Sequence, residues 1–260
     1  MRLTGLHCLI GLVSCIYLFL YVPIIVMVIF SFNSNPFTQE WSSFTTHWYY
    51  ELLHSAEIWQ AFGNSVLLAS SAVILSISLG ILFIVFCNRR YLYILQLIFY
   101  AALAVPEIVV AVALLSFFYN VHIPLSLTTL VAGHTLLGLG YVVPILYTRY
   151  LEIDMRLLEA ARDLGATQWQ TFYTVILPLM MPSLVSASLL VFIISLDDFL
   201  ISFFCASASV QTLPLYIFSM IRAGSTPVVN ALSTVLLVTS SIAVLLFSFL
   251  QFKKVGGKKA

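Results

Sequence analysis

Six stretches of this chain carry no Lys or Arg over a length that reaches across a lipid bilayer, at roughly 6–31, 64–87, 95–119, 125–148, 179–204 and 229–252. A hydrocarbon core about 30 Å thick needs about 20 helical residues to cross it. Lipid offers backbone N–H and C=O groups no partner, so a crossing segment must close its own hydrogen bonds, as a helix does. A β-barrel would show short alternating strands instead, and the runs do not alternate. The expected fold is therefore all-α: a polytopic membrane protein of about six transmembrane helices, forming a single transmembrane domain over 1–260. A charged fraction of 8% rules against a water-soluble fold, since soluble domains carry about 25%.

The cations set the orientation. Arg2, the pair Arg89 and Arg90, then Arg149, Arg156 and Arg162, and finally Lys253, Lys254, Lys258 and Lys259 all fall on one side of a six-span arrangement. That side is expected to be the cytoplasm, with both termini inside. The first outer loop, about 32–63, holds Glu40, Glu51 and Glu57 without a single Lys or Arg. A net charge of +1 provides no field for nucleic acid. Cys8, Cys15, Cys87 and Cys205 stand singly, without a C-x-x-C pair, and read as small core residues and not as disulfides or a metal site. The first run is expected to be an uncleaved span, because no small-x-small site follows it. Pro23, Pro106 and Pro144 fall inside runs, either as breaks beside a pathway or as prolines that a membrane helix tolerates.

The longest inside stretch, 149–178, has a readable local grammar. Asp154 is placed to cap a short helix with Leu157, Leu158, Ala161 and Leu164 along one stripe, and Gly165 suits a left-handed stop. Thr167 with Gln170 fits a capping box for a second short helix, which runs from Gln168 to Leu177 and reaches Pro178 at the membrane edge. Two amphipathic helices at an angle suit a groove on a partner, or else the lipid headgroups.

The string from Glu159 to Pro178, EAARDLGATQWQTFYTVILP, resembles the EAA loop of ABC-importer permeases, matching E-A-A-x3-G-x9-I-x-L-P at Glu159, Ala160, Ala161, Gly165, Leu177 and Pro178, with Val175 in place of Ile. SFNSN at 31–35, T-x-x-W-Y-x-x-L-L from Thr45 to Leu53, VPEIV at 105–109, SLDDFLISFF at 195–204 and LPLYIFSMIRAG at 213–224 extend the likeness to the PotC-type spermidine/putrescine permeases. The resemblance implies a type I ABC-importer permease fold in a bacterial inner membrane, importing polyamines. It also implies that Glu159, Ala160, Ala161 and Gly165 form a coupling helix docked on an ATPase. The implied partners are a second related permease, two ATPase subunits that hold ATP and Mg, and an extracytoplasmic polyamine-binding protein. The chain has no G-x-x-x-x-G-K-[ST] phosphate loop of its own, so no cofactor and no catalytic residue is expected on it.

Acids inside the runs point to the cargo independently. Glu107 lies near the middle of the third run, and Asp197 and Asp198 lie in the outer half of the fifth. An Asp at a helix centre costs about 2.5–3.5 kcal/mol to insert, and no Lys or Arg shares these runs. Uncompensated carboxyls suggest a hydrated cavity that receives a cation; alternatively they are protonated, cap a broken helix or pair with a partner subunit. Adjacent residues on a helix point about 100° apart, so one of Asp197 and Asp198 is expected to face the pathway. Phe199, Phe203 and Phe204 stand near enough in sequence to stack on ammonium groups. His134 reads as a packing histidine. Rival readings are an ion-coupled secondary transporter of a small organic cation, an ABC permease for another small solute, and an intramembrane aspartyl protease using Asp197 and Asp198, ranked last because adjacent aspartates on one helix do not converge on a shared proton.

Overall fold

The computed structural model describes residues 2–36, 40–86, 89–207, 209–224 and 226–256. They fold almost wholly into helices: α1 (Arg2–Phe30), α2 (His47–His54), α3 (Ala56–Phe86), α4 (Arg89–Leu103), α5 (Glu107–Asn120), α6 (Leu127–Leu151), α7 (Met155–Asp163), α8 (Gln168–Thr171), α9 (Leu177–Asp197), α10 (Leu200–Cys205), α11 (Leu213–Ala223) and α12 (Thr226–Gly256). Among the described residues, the one isolated bridge pairs Asn33 with Phe44.

Four described segments are long and apolar enough to cross a membrane, Ile10–Phe30, Ala56–Val85, Leu127–Leu151 and Gln168–Asp197, and a bent pair makes up to five. The sixth expected run falls on α12, whose described apolar part is Pro227–Ile242. The third run, 95–119, is not one helix: α4 and α5 meet at 108° across a break. Pro106 causes it, because its ring disfavours helical backbone at the preceding residue; Pro106 itself is extended, with ψ 132°, at the start of α5. Pro23 and Pro144, by contrast, lie inside continuous helices. The fifth run also breaks, after Asp197, where Asp198 is extended with ψ 121°. The side chains of Arg2, Cys8, Arg89, Arg90, Lys253 and Lys254, and all of Cys87, Lys258 and Lys259, lie outside the described residues. Cys205 is buried and free, whereas Cys15 is exposed and not the core residue expected.

The chain divides into two compact units, one of 1–56 with 217–260 and one of 57–216. In the first, α1 and α2 both pack on α12. Apolar side chains along α1, such as Leu18 and Phe19, are exposed, as in a helix whose solvent is lipid. After α1 the chain is tied by Asn33, fully buried, whose side-chain oxygen accepts from the Ser42 N–H at 3.0 Å and whose amide donates to the Glu40 carbonyl at 2.8 Å. Trp48 Nε1 donates to the Asn33 carbonyl at 2.7 Å, so the SFNSN and T-x-x-W-Y strings form one turn.

In the second unit α6 is the central helix, packed against α4, α5, α9 and α10. Close approach is built into it: a Cβ at Gly138 would stand 2.9 Å from Val191 of α9 and collide with Ser76 of α3. One buried apolar cluster, including Leu146, Leu158, Phe172, Ile176 and Leu184, lies around the α7–α9 end. Another, including Leu68, Leu130 and Ile201, surrounds α10.

Candidate functional site

Two places in the second unit gather the residues singled out in the sequence. The first gathers the acids. Glu107 opens α5, directly after the Pro106 break, where a helix N-terminus favours an acid. Asp197 ends α9, and Asp198 sits in the gap before α10. The breaks therefore set the acids at helix ends and not in helix interiors.

Their environments differ. Asp198 is 5% exposed. It accepts from the Ser202 N–H at 2.9 Å and the Ile201 N–H at 3.3 Å, capping α10. Its carboxylate lies 3.3 Å from His134 Nε2, and Glu107 is close enough to interact with it electrostatically. Asp197 and Glu107 are exposed, and Asp197 is within electrostatic range of Glu107. The two neighbouring aspartates thus diverge and do not face one another. Phe199 and Phe203 pack beside them with ring centroids 5.4 Å apart.

His134 and two serines complete the cluster, and the serines went unread in the sequence. His134, on α6, is fully buried, with Nδ1 2.7 Å from Ser195 Oγ on α9 and Nε2 3.3 Å from Ser202 Oγ on α10. The histidine is satisfied, as expected of a packing residue, yet its partners include one of the acids. Asp198 stands one position before Phe199, the N-cap of α10; an acid at a helix start is favoured by the helix dipole, and that signal in SLDDFLIS was available. Among the described residues no group of three or more His, Cys, Asp and Glu forms a metal site.

The second place is the elbow, 149–178. Asp154 accepts from the Arg156 N–H at 3.0 Å, and Thr167 and Gln170 form a reciprocal capping box. Gly165 has φ +83°. Its N–H donates to the Arg162 carbonyl at 2.8 Å, and that of Ala166 to the Ala161 carbonyl at 3.0 Å, the paired closure of a Schellman motif. The stripe along α7 stays largely uncovered: Leu158 is 4% exposed but Leu164 is 89% exposed. Glu159 and Ala160 are exposed and Ala161 is half-buried. Trp169 stacks on Tyr173, both exposed.

The expected second short helix is instead the start of the fifth span. Phe172–Ile176 forms a π turn that joins α8 to α9 without a bend large enough to separate them. Pro178 accounts for this: it lacks the N–H that would bond four residues back and its ring crowds that carbonyl, a conflict that a wider turn relieves. Gln168–Asp197 is thus one 30-residue rod, roughly 45 Å long at about 1.5 Å per residue. It joins the elbow to the acid cluster.

The family model for the binding-protein-dependent transport system inner membrane component matches residues 72–254. The spermidine/putrescine transport system permease protein PotC of Escherichia coli is 36% identical over 251 residues, covering 95% of each chain. PotC of Haemophilus influenzae is 37% identical, covering 92% of this chain and 94% of that one. The putrescine transport system permease protein PotI of E. coli is 32% identical, covering 85% and 82%. Among solved structures, a bacterial ABC transporter that imports the acidic polysaccharide alginate superposes with a TM-score of 0.72 at 18% identity, over 95% of this chain and 96% of that one. The alginate transporter in complex with an alginate pentasaccharide-bound periplasmic protein superposes at 0.68.

Proposed function

The chain belongs to the binding-protein-dependent transport inner-membrane components, and from that premise we propose that it is the polyamine-conducting permease subunit of an ATP-driven importer, for spermidine or putrescine. It is homologous to PotC and PotI. It lines the translocation pathway together with a second, related permease, receives cargo from an extracytoplasmic binding protein, and takes its drive from two ATPase subunits that hold ATP and Mg. Both termini and the elbow face the cytoplasm, and the whole of 1–260 works as a single permease domain.

The observation that carries this reading is the rod from elbow to acids. Exposed Glu159 and Ala160, with half-buried Ala161, sit on a helix closed by Gly165; the small alanines allow an ATPase surface to approach closely. Leu164, almost fully exposed, is the apolar knob such a surface would cover. In this reading movement of the elbow reaches the carboxyls along Gln168–Asp197, a secondary-structure element that links the two places physically. At the far end Glu107, Asp197 and Asp198 concentrate negative charge where a flexible organic cation is passed on.

Purified complex, with its binding protein, tests the reading when ATPase activity is measured against a series of amines and neutral solutes. Stimulation by spermidine or putrescine is expected. Stimulation by a neutral solute alone would overturn the cargo assignment.

A further inference from the structure

The acids differ in what already holds them. A carboxylate offers about four acceptor positions, and three protein groups already face Asp198: the Ile201 N–H at 3.3 Å, the Ser202 N–H at 2.9 Å and the His134 ring at 3.3 Å. A cation reaching Asp198 would have to displace protein partners. Glu107 and Asp197 present exposed surface instead.

We propose that His134 is a positioning residue: by clamping Asp198 into the start of α10 it fixes the α9–α10 break and leaves Asp197 and Glu107 as the carboxyls that meet the cargo. The clamp is needed because α10 is only six residues long, and isolated short helices do not hold themselves together in the face of nucleation cost. It is tied to α6 at both ends, by His134 at its start and by Thr129, whose hydroxyl donates to the Cys205 carbonyl at 3.1 Å, at its finish. Nε2 faces both the Asp198 carboxylate and the Ser202 hydroxyl at 3.3 Å, and Nδ1 pairs with the Ser195 hydroxyl at 2.7 Å. One ring thereby joins α6, α9 and α10. Phenylalanine would fill the same space without either bond; glutamine keeps a donor and an acceptor.

The cargo half of this inference rests on the polyamine reading, while the clamp does not. The test is carbodiimide labelling of carboxyls in the assembled complex, read residue by residue by mass spectrometry. Asp197 and Glu107 are expected to label at least about tenfold faster than Asp198, a ratio equivalent to about 1.4 kcal/mol of protection. His134→Phe is expected to bring Asp198 to within a few-fold of Asp197, and His134→Gln to restore most of the protection. Asp198 labelling as fast as Asp197 in the unaltered complex, or staying protected in His134→Phe, overturns the clamp. Should His134→Phe not assemble, Ser195→Ala, which removes one bond from the ring, is expected to raise Asp198 labelling part of the way, and no rise overturns the clamp. Spermidine is expected to slow labelling of Asp197 and Glu107 and to leave Asp198 unchanged. Protection of Asp198 alone by spermidine also overturns the inference. A clamp that responds to the variants, with no carboxyl protected by any polyamine, upholds the clamp and counts against the polyamine reading.

Discussion

The elbow and the acid cluster lie at opposite ends of one helix and are held together in opposite ways. Every cap in the elbow is local: Asp154 to Arg156, Thr167 to Gln170, Ala161 to Ala166. The cluster is closed by bonds between residues 61 and 68 positions apart, from α6 to α9 and α10. A self-capped elbow keeps its shape while its face stays open to a partner. The cluster exists only when the helices around α6 are assembled. The difference predicts that the two ends fail separately.

The largest effect comes from deleting 154–165. ATPase subunits are then expected not to co-purify and uptake to be lost, while the acid cluster keeps its labelling pattern; a retained ATPase would break the division. Next are Asp197→Asn and Glu107→Gln, which remove interactions with a charged cargo worth about 1.5–3 kcal/mol each. Uptake is expected to fall about tenfold or more with ATPase co-purification unchanged, measured as initial rates of labelled spermidine entry.

A smaller loss is expected from Gly165→Ala. A left-handed backbone costs a residue with a Cβ about 1–2 kcal/mol, and open space around Gly165 means that strain, without a clash, is the whole effect. ATPase affinity should weaken up to about tenfold. The smallest is Asp154→Ala, the loss of one N-cap at about 1 kcal/mol, read as a few-fold weaker ATPase association that Asp154→Asn restores.

Local grammar also explains what was legible beforehand. Asp154, Gly165 and the Thr167–Gln170 box are each recognised by a side chain acting on its own neighbourhood, so a sequence window contains all the physics. The spans follow from hydrocarbon thickness for the same reason. The breaks did not follow, although their signals were present: Pro106 was one of three prolines with equal claims, and what made it a break while Pro23 and Pro144 stayed helical depends on packing around each helix. The π turn before Pro178 was hidden because a helix restart and a widened turn satisfy the same capping box. His134 was read as packing; that its ring reaches an acid from another helix is a tertiary fact no window around position 134 contains.

The central claim is that an external motor, gripping the elbow, drives amine past the carboxyls at the other end of the rod. Reconstitution in liposomes tests it most directly, with this chain alone or with its partner permease, ATPase and binding protein, following labelled spermidine with and without ATP. Accumulation only in the full assembly and only with ATP is the predicted result. Accumulation by this chain alone under an ion gradient would contradict it.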